Sequence, residues 1–160
     1  MDCNLYAKKC IIINSNKQGA FILNIRIIKN DISIKEFIEL RESVGLNKLK
    51  EEQVRKMIKN SIFTILIKDG ETLAGMGRLV GDGAYVYYLQ NINVKPEYQN
   101  SGIGTIIINE LLDFIKKDKI EDTEVMVLLM SSKIAEGFYK KFGFRSRPND
   151  KEGSGMILNL

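Results

Sequence analysis

Apolar residues recur along this chain at two spacings, and the switch between them sets the element boundaries. Ile92 and Val94 alternate with polar neighbours as in a strand, and Pro96 ends it, having no N–H to donate and biasing Lys95 to an extended shape. From Ile103 the period becomes about 3.6. Ile103, Ile107, Leu111, Phe114 and Ile115 share one face and Asn109, Asp113, Lys116 and Lys117 the other, which predicts a helix. Upstream, Ile34, Phe37, Ile38 and Val44 form a second stripe; Ser33 and Glu36 read as a capping box before it and Gly45 as its stop. A further helix is predicted over 50–59, with Val54, Met57 and Ile58 facing inward. Residues 61–68 read as a buried strand, Asp69-Gly70 as a hairpin turn, 72–79 as the return strand and 84–94 as a third strand after Gly81-Asp82-Gly83. At the start, 10–13 and 21–28 read either as two strands around 14–19 or as an extension, with 24–28 the clearest strand. At the end, 123–130 reads as a buried strand, 131–142 as a short helix, and 144–147 and 155–160 as two strands that close the sheet. The order β-α-α-β-β-β-α-β-α-β-β predicts an α/β chain of α+β type: a single mixed, mostly antiparallel sheet with helices on both faces. Residues 24–160 would form one domain, with 1–23 as an N-terminal extension or extra strand.

Composition narrows the chemistry. At 160 residues the chain can bury its own core. No apolar run approaches the roughly 20 residues of a membrane span, and the short run Ile11-Ile12-Ile13 lacks the features of a signal sequence, so a cytoplasmic protein without a membrane partner is expected. Histidine is absent, which removes Ser-His-Asp and Cys-His catalysis and leaves no expectation of a metal. Cys3 and Cys10 are too few for a disulfide framework. The net charge of +4 suits an anionic cofactor and is too small and too evenly spread to point to nucleic acid.

The junction at 99–104 carries the candidate chemistry. A strand that feeds a helix through a glycine-bearing turn aims unpaired N–H groups and the positive helix end at one point, an anion site. A Walker loop needs Gly-Lys-Ser/Thr, and Thr105-Ile106 follows Gly104; a dinucleotide fingerprint needs a third glycine where Ile107 stands. The glycines from Gly75 to Gly83 are no phosphate loop either, because no helix pattern follows; Gly75 and Gly77 within a strand mark a close approach. The string Val94-Lys-Pro96-Glu-Tyr-Gln99-Asn-Ser-Gly102-Ile-Gly104 resembles the acetyl-CoA pyrophosphate loop of the GNAT N-acetyltransferase superfamily. A second string, from Ala135 through Tyr139 to Gly143-Phe144, resembles that superfamily's Ala-x-x-x-Tyr-x-x-x-Gly-Phe motif. Read alone, it is an amphipathic helix whose Phe138, Phe142 and Phe144 pack a core.

The resemblance implies an acetyl-CoA-dependent N-acetyltransferase acting on a small-molecule amine or an exposed protein amino group, with the homodimer common among relatives. It assigns Gln99, Asn100, Ser101, Gly102, Ile103, Gly104 and Thr105 to the pyrophosphate, and Ile92, Asn93 and Val94 to a strand that lines the cofactor. Ser132, where many relatives carry asparagine, and Phe138 also fall to the cofactor. Tyr139 becomes the general acid for the departing thiolate; a free phenol of pKa ~10 keeps its proton at neutral pH. Many relatives place a carboxylate base on that strand, whereas Gln90 and Asn91 here are neutral. Acceptor contacts are expected from the irregular regions, with Arg78, Asp82, Tyr85 and Tyr87 as candidates. The alternative reading is a non-catalytic acetyl-CoA-binding sensor on the same fold.

Overall fold

Six strands form one sheet in chain order, and the computed structural model describes them within residues 6–14 and 20–158. They are β1 Tyr6–Asn14, β2 Ala20–Lys29, β3 Phe63–Asp69, β4 Thr72–Gly81, β5 Val86–Val94 and β6 Met126–Leu129. β1 to β5 pair antiparallel with their neighbours, and β6 joins β5 in parallel. The helices are α1 Ile34–Ser43, α2 Glu51–Lys59, α3 Ile103–Asp118 and α4 Glu136–Lys140. The chain divides after Leu129 into two units. No described helix is long and apolar enough to cross a membrane.

The predicted caps form. The Ser33 hydroxyl accepts from Glu36 N–H while the Glu36 carboxylate accepts from Ser33 N–H, so both ends of the box are made. α1 stops at Gly45, whose N–H reaches Glu42 while that of Leu46 reaches Arg41, both on carbonyls; this 5→2 and 6→1 pair needs the left-handed φ of +76° that glycine supplies.

Each strand's alternation sorts its side chains between two helical layers. Leu66 and Met76 join Ile28, Phe37, Leu40 and Val54 in one buried cluster with α1 and α2. On the other face Gly75 and Gly77 sit beneath Ile103, Ile107 and Leu111 of α3, and Phe63 stacks on Phe114 at 4.4 Å between ring centroids. Those two glycines let the helix approach. A Cβ on Gly77 would lie 2.6 Å from Ile107 Cγ2, so the close approach expected there is that of α3.

The two closing strands predicted at 144–147 and 155–160 do not form within the described residues; 144–158 contains turns and coil. Their apolar alternation lacks a ladder partner, and Met156, Ile157 and Leu158 are mostly exposed. Asn149 and the Arg145–Glu152 ion pair, at 2.6 Å, organise this segment instead. The strand expected over 123–130 shrinks to Met126–Leu129, and the helix expected over 131–142 resolves into a 3-10 turn, Lys133–Ala135, followed by α4.

Candidate functional site

β5 departs from regular pairing where the cofactor-lining strand was expected. Its parallel partner β6 accompanies it only from Val86 to Leu89, so 90–94 present an edge with no further strand among the described residues. On the other side Met76 pairs with Asn93 and Arg78 with Gln90, leaving Gly77 opposite both Asn91 and Ile92. This two-against-one count is a β-bulge, and Asn91 takes a left-handed φ of +52° within it. Arg78 holds the bulge: its Nε donates to Asn91 Oδ1 at 2.8 Å. The β4–β5 ladder is therefore interrupted just where the unpaired edge of β5 begins.

The chain then enters the glycine-bearing turn. Lys95 N–H donates to Ala74 O at 3.0 Å, Pro96–Tyr98 forms a 3-10 turn, and Gln99 Nε2 folds back on Val94 O at 3.2 Å. Asn100 and Gly102 are left-handed, with φ of +61° and +86°, between which Ser101 Oγ donates to Tyr98 O. Alternating backbone hands make successive N–H groups converge into a nest. Gly102 is the N-cap of α3, no side chain caps that end, and the first turn holds no acidic residue. The N–H groups of Ile103, Gly104 and Thr105, together with the positive pole of a 16-residue helix, are thus left to solvent or an anion. Ile103 is itself fully buried and anchors the turn, so its contribution is through its backbone.

Asn93 differs from its neighbours. It is 6% exposed, on the face covered by α1 and α2, and its Nδ2 is buried without a partner among the described residues. An unpartnered buried amide is a donor available to a ligand.

In the second unit, Tyr139 lies on α4 among aromatic rings, with centroids 5.2 Å from Phe138 and 6.1 Å from Phe144, both edge-on. Gly143 ends the helix at φ +89°, its N–H on Lys140 O. The Tyr139 hydroxyl has no hydrogen-bond partner among the described residues, and burial raises its pKa above the ordinary 10.0. Ser132 precedes the 3-10 turn, with its carbonyl accepting from Ala135 N–H.

The four candidate acceptor contacts separate. Arg78 is only 8% exposed, and besides Asn91 its Nη1 donates to Met57 O and Ser61 Oγ at 3.3 and 3.2 Å. Tyr87 is fully buried, with its hydroxyl on Asp118 Oδ2 at 2.7 Å. Asp82 is exposed and accepts the N–H groups of Ala84, Tyr85 and Val86 at 2.9 Å each, which depress its pKa. Tyr85 is 55% exposed and, like Asp82, lies at the surface. Asn91 is prominent in the structure and appears in the sequence only as a neutral strand residue. A register shift of one residue leaves no local mark, although asparagine tolerates the left-handed region better than most residues.

A family model described as an acetyltransferase (GNAT) domain matches residues 28–158. The uncharacterized N-acetyltransferase ycf52 of Pyropia yezoensis is 26% identical over 151 residues, spanning 91% of this chain and 84% of that protein. Among solved structures, a probable acetyltransferase of unknown function from meticillin-resistant Staphylococcus aureus superposes with a TM-score of 0.75 at 29% identity, over 85% of this chain and 99% of that one. A GNAT-family acetyltransferase from Streptococcus pneumoniae does so with a TM-score of 0.72 at 28% identity, over 85% and 98%.

Proposed function

The chain belongs to the GNAT acetyltransferase family, and from that premise we propose that it moves acetyl from the thioester of acetyl-CoA to a primary amine by direct attack in a ternary complex. The observation that carries this reading is the uncapped start of α3 behind a nest of left-handed residues, beside the open edge of β5. Backbone N–H groups over 99–105 hold the diphosphate, and strand amides of Ile92, Asn93 and Val94 meet the pantetheine and the acetyl carbonyl. Donors already aimed at a developing oxyanion are worth about 3–4 kcal/mol each. Ser132 and Phe138 complete the cofactor contacts, with Ser132 giving less than an asparagine would.

The acceptor nitrogen, having lost a proton to solvent, bonds to the carbonyl carbon. The tetrahedral intermediate loses a second proton from that nitrogen to solvent and collapses, the C–S bond breaks, and Tyr139 gives its proton to the thiolate and regains one from solvent. Burial raises the pKa of Tyr139, so the phenol is in its donating form at neutral pH. With neutral Gln90 and Asn91 on the strand, no side chain is assigned to the amine proton, and kcat/KM should climb with pH toward the amine's own pKa of ~10.

The test is a library of primary amines incubated with acetyl-CoA and read by released thiol. Thiol release that depends on particular amines supports the proposal. Tight acetyl-CoA binding with no amine acetylated would replace it by a binding module, the reading that the missing strand carboxylate favours.

A further inference from the structure

A cleft of about 400 Å³ lies between α2 and the second half of β4, bordered by Gln53, Lys56, Asn60 and Arg78 over Met57 and Val80. It holds two cations and no carboxylate. Arg26 pairs with Glu71, Lys29 with Glu110, Lys68 with Glu36 and Lys95 with Glu39, each within 2.8 Å. Arg78 has no such pair. Although only 8% exposed, it meets only the neutral acceptors Asn91, Met57 O and Ser61. Neither it nor Lys56 has a carboxylate partner among the described residues.

The deficit is deepened from α1. Burial and then the charge of Arg41 both lower the Arg78 pKa, and Arg41 has its own Nε buried without a partner. The carbonyl of Met57, at the end of α2, returns at most the half charge of a helix dipole. A buried guanidinium lacking a counterion among the described residues is costly to the empty protein and is relieved by an anion.

We propose that the acceptor amine also carries a carboxylate or phosphate, and that this anion docks on Arg78 and Lys56 in the α2–β4 cleft. The inference rests on the N-acetyltransferase reading and adds a substrate class to it.

Matched acceptors decide it: alkylamines of four to six carbons against amines of equal length ending in carboxylate or phosphate, all with acetyl-CoA. The anionic members should show kcat/KM at least tenfold higher, and the better of the two series names the anion. Arg78→Gln also releases Asn91 and Ser61, so the variant of choice is Lys56→Gln, at an exposed position. It should lower kcat/KM for the anionic acceptors five- to tenfold more than for the neutral ones, mainly through KM. The control Lys59→Gln, exposed and outside the cleft, should follow wild type. Equal turnover of neutral and anionic acceptors, or an equal loss for both in Lys56→Gln, would overturn the proposal while leaving acetyl transfer intact. A binding arm keeps the two readings apart. With CoA saturating the α3 nest, inorganic phosphate and acetate should raise the Tm of wild type more than that of Lys56→Gln. Identical effects in both proteins sink the cleft alone, whereas no stabilisation by CoA sinks acetyl transfer.

Discussion

Tyr87 and Tyr139 carry the same hydroxyl into opposite settings. Tyr87 is fully buried and donates to Asp118 across 31 residues of chain, and burial, that hydrogen bond and the carboxylate charge push its pKa up to about 12. A folded pKa above the unfolded 10 stabilises the protein fully below pH 10 and loses that contribution as pH rises from 10 to 12. Tyr88, Tyr98 and Tyr139 are raised too, so in an alkaline ultraviolet titration Tyr87 should be the last of these four to ionise, and Tyr87→Phe should remove the phase near pH 12 at about 1 kcal/mol in stability. If the late phase persists in the variant, the assignment is wrong. Tyr139 has no partner for its hydroxyl among the described residues, and burial raises its pKa. Tyr139→Phe should lower kcat about 10²-fold with CoA affinity within threefold, as for loss of a general acid. Because the protonated form is the active one, wild-type turnover should fall only above pH 10, and the variant should lack that fall. Spacing to Gly143-Phe144 distinguishes Tyr139 in the sequence. Tyr87 has no such mark: it and Tyr85 share a strand parity, and only the Asp82 turn, which delays β5 until Val86, leaves Tyr85 in solvent.

Glycines do different work in a strand and at a helix start. Gly77 is there for space, since an added Cβ would meet Ile107 at 2.6 Å, Ile92 at 3.0 Å and Leu111 at 3.1 Å. Gly102 is there for its backbone, with φ of +86° and nothing within 4 Å of an added Cβ. Gly77→Ala should lose about 1–3 kcal/mol in urea denaturation, as overpacking does. Gly102→Ala should lose only about 1–2 kcal/mol from the left-handed backbone, and weaken CoA binding as the nest shifts. Equal CoA affinity in Gly102→Ala and wild type would remove the turn from the binding site. The helices and turns up to α3 could be read from the sequence because their signals are local: a capping box, a stop glycine, Asp69-Gly70, a change of period. The strands expected at 144–147 and 155–160 do not form within the described residues because alternation marks a residue's two sides without supplying an edge to pair with. The bulge at Asn91 was missed for a related reason. It is a property of the β4–β5 register, which Arg78 holds from the neighbouring strand.

The sheet runs in chain order from β1 to β6, so each pairing among the described strands joins consecutive ones, and only the last crosses over in parallel through α3. That topology made the first unit's architecture legible: turns and helix insertions fix which strands meet, and alternation fixes which face each residue takes. It also puts the crossover helix directly after the stretch 90–94, unpaired on one side among the described residues, so one junction supplies both an open strand edge and an uncapped helix start. A ligand that spans both should stabilise the chain as a whole, by RT ln(1 + [L]/Kd), or about 2.7 kcal/mol at a hundred times Kd. For a chain of 160 residues, at roughly 2–4 °C per kcal/mol, acetyl-CoA at that excess should raise Tm by about 5–10 °C. S-acetylpantetheine keeps the thioester and the strand-binding arm but lacks the diphosphate, so at the same concentration it should give a shift of no more than a degree or two. Equal shifts from both would mean that the strand alone holds the cofactor, and that the convergent amides of Asn100 to Thr105 serve only to start a helix.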